Sequence, residues 1–226
     1  MEYEVFGSTM PVVVLTLQSG EKIYSRSGAM KWMSSGIEME TGMDGGFMGA
    51  LKRKVSGESA FLNHFTSTDS GARIAFGHSF PGHIMRVDVS EQSVICQRRA
   101  FLAASEEVEL DIEFKRKLGT GFFGGEGFVM QRLHGRGEAF VEIDGECYEK
   151  VLQAGETIRV ETGSVGMYEK SVSMDIDRVK GISNMLFGGE GLFLTTLEGP
   201  GKVWIQTMPI QSMAGEVANF LPNKND

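Results

Sequence analysis

The sequence predicts an all-β protein with three internal repeats and a short C-terminal helix. A glycine-rich stretch, Phe-Gly-Gly-Glu-Gly, occurs at residues 123–127 and again at 187–191, and a weaker copy, Ser-Gly-Glu-Ser, occupies residues 56–59. Short segments around these stretches alternate apolar and polar residues, which is typical of strands with one buried face. The composition, with 30 glycines and 15 phenylalanines against 5 prolines, also favours β structure.

Each repeat is expected to begin with two strands joined by a turn. In the first repeat the strands are Val12–Leu17 and Lys22–Tyr24, and the turn is Ser19-Gly20-Glu21, because glycine and serine favour turns. A further strand follows, in which apolar and polar residues alternate with period two. The matching segments are Ile37–Glu40, Val108–Asp111 and Val172–Asp175.

Each repeat is expected to end in a hairpin, which is clearest in the last repeat. Gly191–Leu197 and Lys202–Thr207 are its predicted strands, and residues 198–201, Glu-Gly-Pro-Gly, are its predicted turn. Proline presets one backbone dihedral angle of such a turn, and glycine accepts another that L-residues avoid.

The end of the chain differs from the repeats. After Pro209, the apolar residues Ile210, Met213 and Val217 have helical spacing. We expect a short helix that covers an open end or edge of the β body. The chain is then a single domain, residues 1–226, with repeats at approximately 1–80, 81–146 and 147–209, and a helix and tail at 210–226.

Charge and cysteine content restrict the setting and the partners. The net charge of −8 disfavours binding to DNA, because counterion release requires a positively charged protein surface. Cys96 and Cys147 lack the spacing of a metal site, and their pairing stays open. The 14 methionines favour a reducing compartment, and the acidic start Met1–Glu4 is unlike a signal peptide. We therefore expect a cytoplasmic protein without a cofactor.

Two sets of residues recur in the repeats and are the candidate sites. The first is a basic connector before each glycine turn, which together would form a binding face for an anionic partner: Lys52, Arg53, Lys54, Lys115, Arg116, Lys117, Arg178 and Lys180. The second is the equivalent turn positions Gly57, Glu58, Gly125, Glu126, Gly189 and Glu190. Converging carboxylates would bind a hard cation, whereas separate ones would only accept backbone hydrogen bonds in their turns. A solvated loop face is the simpler interpretation of the basic connectors.

The usual catalytic and cofactor motifs are missing. Gly119–Gly124 fits the dinucleotide pattern G-x-G-x-x-G, but two phenylalanines intervene and a β pattern follows, so a turn is the better interpretation. The histidines include no H-x-H pair of the kind that cupin metal sites use, and we expect them at surface or hydrogen-bonded positions. The four are His64, His78, His83 and His134. We therefore predict no catalytic, cofactor-binding or metal-binding residue.

The glycine turn at Phe187–Gly191 and the hairpin at Leu197–Gln206 are similar to a known family. So are Val12–Leu15, Ser27–Met30 and Met208-Pro209. The chain resembles the domain family of unknown function that includes the fungal "altered inheritance of mitochondria" proteins and bacterial homologues. The resemblance implies three similar units about a pseudo-threefold axis, in a β-sandwich or double-stranded β-helix-like body similar to the tryptophan RNA-binding attenuation protein. It implies no catalytic residues.

We expect a non-enzymatic scaffold or binding module. Bodies built of β-strands with open edges commonly associate, so a homo-oligomer is expected, with a trimer as the working number. An unidentified protein or an anionic surface is a further expected partner. A small-ligand or RNA-binding module, by analogy with the attenuation protein, and a cupin-like metal enzyme are the alternatives.

Overall fold

The computed structural model describes residues 1–42, 62–77, 80–116, 127–178, 193–218 and Phe220. These residues form 19 β-strands, two short 3-10 turns and one α-helix. The predicted all-β class and the short C-terminal helix are therefore confirmed. Of the helical residues described, none belongs to a segment with the length and apolarity of a membrane span.

Strand β1 (Glu2–Phe6) is followed by three successive sets of six strands. The first set is β2 (Val12–Leu17), β3 (Lys22–Arg26), β4 (Met30–Met33), β5 (Ile37–Gly42), β6 (Leu62–Ser67) and β7 (Ala72–Gly77). The second set is β8 (Gly82–Asp88), β9 (Val94–Gln97), β10 (Phe101–Ser105), β11 (Val108–Arg116), β12 (Phe128–Gly135) and β13 (Glu138–Asp144). The third set is β14 (Cys147–Leu152), β15 (Thr157–Glu161), β16 (Val165–Glu169), β17 (Ser173–Arg178), β18 (Phe193–Glu198) and β19 (Gly201–Gln206). Helix α1 (Ile210–Ala218) comes last.

The same antiparallel pairings occur in every set. The first strand pairs with the sixth, the second with the fifth, the third with the sixth, and the fourth with the fifth. The predicted repeat boundaries, after residues 80 and 146, fall between these sets. The pseudo-threefold axis and the likeness to the double-stranded β-helix and the attenuation protein stay predictions, because pairing order does not define a rotation axis.

Successive sets are joined by their inner strands. Strand β3 pairs with β10, and β9 pairs with β16, so the second strand of one set binds the third strand of the next. This produces two six-stranded sheets, ordered β5-β6-β3-β10-β13-β8 and β11-β12-β9-β16-β19-β14. The remaining strands form a four-stranded sheet, β1-β2-β7-β4, and a three-stranded sheet, β15-β18-β17.

The third strand of each set was missed by the period-two pattern. Strands β4, β10 and β16 are short, and each contains a register shift opposite its sixth strand. The extra residues at these bulges are Lys31, Leu102 and Gly166. A bulge interrupts the alternation of faces, and most of β10 and β16 is buried on both faces, so neither strand shows a polar side.

The core lies between the sheets and crosses the set boundaries. One apolar cluster combines first-set residues such as Leu15 and Phe76 with Leu102 and Phe140 of the second set. Phe140 is fully buried and meets the ring of Tyr3 edge to face, with centroids 5.6 Å apart. The sets are therefore packed into each other through shared side chains.

The hairpin turn between β18 and β19 occurs where the sequence predicts it. Gly201 has φ of +142°, a value that L side chains rarely adopt. A Cβ atom there would lie 2.6 Å from Ser171 Oγ and 2.8 Å from Val172 Cγ2. Glycine is therefore required both by the backbone and by the close packing.

Helix α1 is attached mainly through its first turn. The Ile210 N–H donates to the Asp144 carboxylate at 3.1 Å, and Ile210 and Gln211 are half-buried. Met213 and Val217 remain exposed to solvent. The helix therefore does not bury its apolar stripe against the described residues. Only its N-terminal turn packs on the β body, although the helix was expected to cover an open end or edge.

Candidate functional site

Most of the predicted basic face lies outside the described residues, namely Lys52, Arg53, Lys54, Lys117 and Lys180. Lys115 and Arg116 are exposed at the end of β11, and Arg178 is exposed at the end of β17. Arg116 Nη1 donates to the carbonyl of Ile176 in β17 at 2.6 Å, so the second and third connectors start close together. A single face formed by all three connectors stays a prediction.

The repeated turn positions also lie outside the described residues. They are Gly57, Glu58, Gly125, Glu126, Gly189 and Glu190, so the convergence of the three carboxylates stays a prediction. Across the described ranges, no group of three or more histidine, cysteine, aspartate or glutamate side chains is arranged to hold a metal ion.

The described histidines have structural partners, and His78 lies outside the described residues. The contacts are His64 stacked against Tyr24, His83 Nδ1 at 3.0 Å from the Gly145 carbonyl oxygen, and His134 Nε2 at 2.8 Å from Asp111 Oδ2. These contacts position strands and turns.

Both cysteines are free thiols. Cys96 is buried, and burial raises the pKa of its thiol to about 12, so the thiol is protonated and a poor nucleophile at neutral pH. The Cys147 thiol is half-buried and lies 3.8 Å from the sulfur of Met85.

The two internal junctions show how one set binds the next. In the first junction, Ala103 and Ala104 of β10 lie opposite Ser25 and Tyr24 of β3. In the second junction, Met167 and Tyr168 of β16 lie opposite Cys96 and Ile95 of β9. All eight side chains are buried. The third strand of a set is therefore covered on both edges wherever a preceding set is present.

The equivalent edge of the first set is open. Trp32 and Met33 of β4 pair with Ala75 and Ile74 of β7 and so occupy the places of Ala103 and Ala104. Trp32 is 45% exposed and Met33 is 37% exposed. Among the described residues, no strand pairs with the other edge of β4, which ends its sheet.

A complementary open edge lies in the third set. Strand β15 pairs with β18 and holds the place that β3 and β9 hold in their sets. Within the described part of the chain it has no further strand partner, and it ends its sheet. By register, Val160 corresponds to Ser25 and Cys96, the residues opposite Ala103 and Met167. The described structure thus has two open strand edges, those of β4 and β15. They are of the two kinds that pair with each other at both internal junctions.

A buried carboxylate lies at the first junction. Glu142 of β13 accepts a hydrogen bond from Arg26 Nη2 at 3.1 Å, and its side chain is 3% exposed. Burial raises the pKa of Glu142 to about 8, against the opposing effects of the Arg26 charge and hydrogen bond. Burial also raises the pKa of Asp144, while its hydrogen bond from Ile210 opposes that shift. Asp144 and Glu142 line a small pocket at the base of α1.

Sequence reasoning expected open strand edges but did not identify the strands that carry them. The sequence does indicate the open edge of β4. Trp32 occupies the position in the first set that Ala103 and Met167 occupy in the second and third sets. Finding it requires the register of β4, which the bulge at Lys31 hides.

The fold defines an all-β protein of three six-stranded sets, in which β4 and β15 each end a sheet of the described structure. The chain belongs to the mitochondrial biogenesis AIM24 family, whose model matches residues 3–208. An uncharacterised protein of Streptococcus pyogenes serotype M6 is 27% identical over 225 residues, which cover 96% of this chain and 89% of the relative. A crystal structure of a Streptococcus pyogenes protein has the same fold, with a TM-score of 0.80 and 22% identity over 97% of this chain and 99% of that one.

Proposed function

We propose that this protein is a non-enzymatic scaffold that assembles head to tail, with the β4 edge of one copy bound to the β15 edge of the next. The observation that carries the proposal is the exposure of Trp32 and Met33 at positions whose equivalents are buried in both internal junctions. Exposed backbone edges with apolar side chains are the surfaces through which β proteins associate.

The internal junctions supply the expected register. Trp32 would lie opposite Val160 of the neighbouring copy, as Ala103 lies opposite Ser25. Met33 would then lie opposite Arg159, whose aliphatic stem can cover an apolar neighbour. Because different surfaces meet, the contact is heterologous, and it produces a closed ring or an open filament according to its rotation. A trimer remains the assumed number of copies in the assembly.

Burial of the exposed part of Trp32 would contribute measurably to the free energy of association. A tryptophan can bury up to ~250 Å², so the exposed part of Trp32 is on the order of 100 Å². At about 25 cal/mol per Å², its burial stabilises the assembly by roughly 2.5 kcal/mol, or roughly fiftyfold in affinity.

The proposal is tested by measuring mass against concentration with light scattering and sedimentation. The wild type is expected to exceed the chain mass of 24.7 kDa at micromolar concentration. Trp32→Ala should weaken association about fiftyfold, and Trp32→Glu should abolish it, because a carboxylate would be desolvated at the junction. Tyr148→Glu is the matched control, since Tyr148 is an exposed aromatic residue on β14, which ends a different sheet.

A wild type that stays at 24.7 kDa throughout would refute self-assembly. An oligomer whose mass responds equally to Trp32→Glu and Tyr148→Glu would refute the assigned edge. Binding of a small ligand or RNA that is independent of mass would favour the alternative functions.

A further inference from the structure

We propose that Lys31 of one copy forms an ion pair with Glu161 of the neighbouring copy, and that this pair sets the direction of assembly. The inference rests on the proposed head-to-tail scaffold and names the charged residues that complete its junction.

Each internal junction contains polar contacts at the ends of the second strand and the sixth strand that meet there. In the first junction, Arg26 at the end of β3 contacts Glu142 of β13. In the second, Gln97 at the end of β9 takes the place of Arg26, and Gln206 takes the place of Glu142. Gln97 Nε2 and Gln206 Nε2 both donate to the carbonyl of Gly163, at 2.9 and 2.8 Å.

The two open edges hold residues of opposite charge at this place. Glu161 ends β15 and corresponds to Arg26 and Gln97. Gly77 ends β7 and corresponds to Glu142 and Gln206, so it supplies no side chain. The space beside Gly77 is occupied by Val12 Cγ1, the Pro11 carbonyl oxygen and Lys31 Cε, which lie 2.7, 3.0 and 3.4 Å from the position of a Cβ there, and Lys31 is the charged residue among them. A basic and an acidic residue thus take the places of Glu142 and Arg26 at the first junction.

The equivalents of Lys31 in the second and third sets contact the preceding set. Its equivalent Leu102 is fully buried in the apolar cluster that it shares with first-set residues. Its other equivalent is Gly166, where a Cβ would lie 2.8 Å from Ile143 Cδ1 of the second set. Lys31 is exposed in the single chain, where its charge is one of those that oppose the effect of burial on the pKa of Glu142. An assembled junction would desolvate its ammonium group, which is costly unless a carboxylate lies beside it.

Glu161 is held ready for such a contact. Its carboxylate accepts hydrogen bonds from the N–H groups of Gly163 and Ser164, both at 2.9 Å. These bonds fix the side chain at the end of the strand, and a carboxylate has further lone pairs for an ammonium group. Pairing of β4 with a second β4, or of β15 with a second β15, would bring like charges together and is disfavoured.

The first experiment measures dissociation constants by sedimentation equilibrium for Lys31→Glu, Glu161→Lys and the double exchange. Each single variant should weaken association about tenfold or more, and the double exchange should restore most of the affinity. Lys22→Glu makes the same charge change at an exposed lysine of β3 and serves as the control. Equal weakening by Lys22→Glu, or no recovery in the folded double variant, would overturn the ion pair.

The second experiment uses the wild type and does not depend on how the variants fold. Equal amounts of ¹⁴N- and ¹⁵N-labelled protein are mixed and treated with a zero-length carbodiimide cross-linker, which joins ammonium and carboxylate groups in direct contact. A mixed-isotope peptide joining Lys31 to Glu161 is expected. Its absence from a Trp32-dependent oligomer would refute the ion pair and leave the scaffold intact, whereas a monomeric wild type would refute both.

Discussion

Replacing Glu142 with glutamine should remove a pH-dependent loss of stability. Glu142 is buried at the first junction, and burial raises its pKa to about 8 from an ordinary value of 4.5. The folded state then binds the proton more tightly than the unfolded state does. The stability contributed by the protonated acid is fully present below pH 4.5 and is lost as the pH rises to about 8.

The size of this loss follows from the two pKa values. Each pH unit between 4.5 and about 8 lowers the free energy of unfolding by about 1.4 kcal/mol, and the total is on the order of 5 kcal/mol. Glutamine has the shape of the protonated acid and does not titrate. The corresponding position of the third set already holds a buried glutamine, Gln206.

The assay is urea denaturation of the wild type and Glu142→Gln at pH 5 and pH 8. The two proteins should be similar in stability at pH 5, and Glu142→Gln should be more stable by several kcal/mol at pH 8. Glu109→Gln is the control, since the Glu109 side chain is 73% exposed. If Glu142→Gln is the less stable protein at pH 8, then the pairing of Arg26 with an ionised carboxylate outweighs the desolvation, and the reasoning is refuted.

Two further variants test the packing of the second set and the attachment of α1. Phe140→Ala should lower the free energy of unfolding by about 3–5 kcal/mol, because Phe140 is fully buried; a loss below 1 kcal/mol in urea denaturation would contradict its role. Asp144→Ala should increase amide hydrogen exchange in α1 about fivefold, since it removes the acceptor of the Ile210 N–H. Asp88→Ala, which removes a similar acceptor at Ser90, should leave exchange in α1 unchanged.

The sequence patterns identify most strands but not the third strand of each set. Strands were predicted at Val12–Leu17, which is followed by a glycine turn, and at Ile37–Glu40, where apolar and polar residues alternate. The structure contains strands at both places. Strands β10 and β16 are short, bulged and largely buried on both faces, so they lack a period of two. The hairpin at residues 198–201 was predictable because proline and glycine act on the local backbone.

The candidate site was predictable only in part, because its residues act through pairing between distant segments. The basic connectors could be recognised as a repeated charge pattern, yet their arrangement in space depends on segments outside the described residues. Lys31 and Glu161 have no common motif and lie far apart in the chain. Their relation appears only when each is placed in the register of its own set.

Local chemistry determined the β class, the family and the final helix, since each depends on residues close together in the chain. The tertiary structure decided which edges are covered and which carboxylates are buried. Both depend on the number of sets that pack together: in the described part of the chain, three sets make two junctions and leave β4 and β15 without a partner on one edge. The physical reason is that backbone hydrogen bonding in a sheet is satisfied between strands, so the end of a series always exposes an edge.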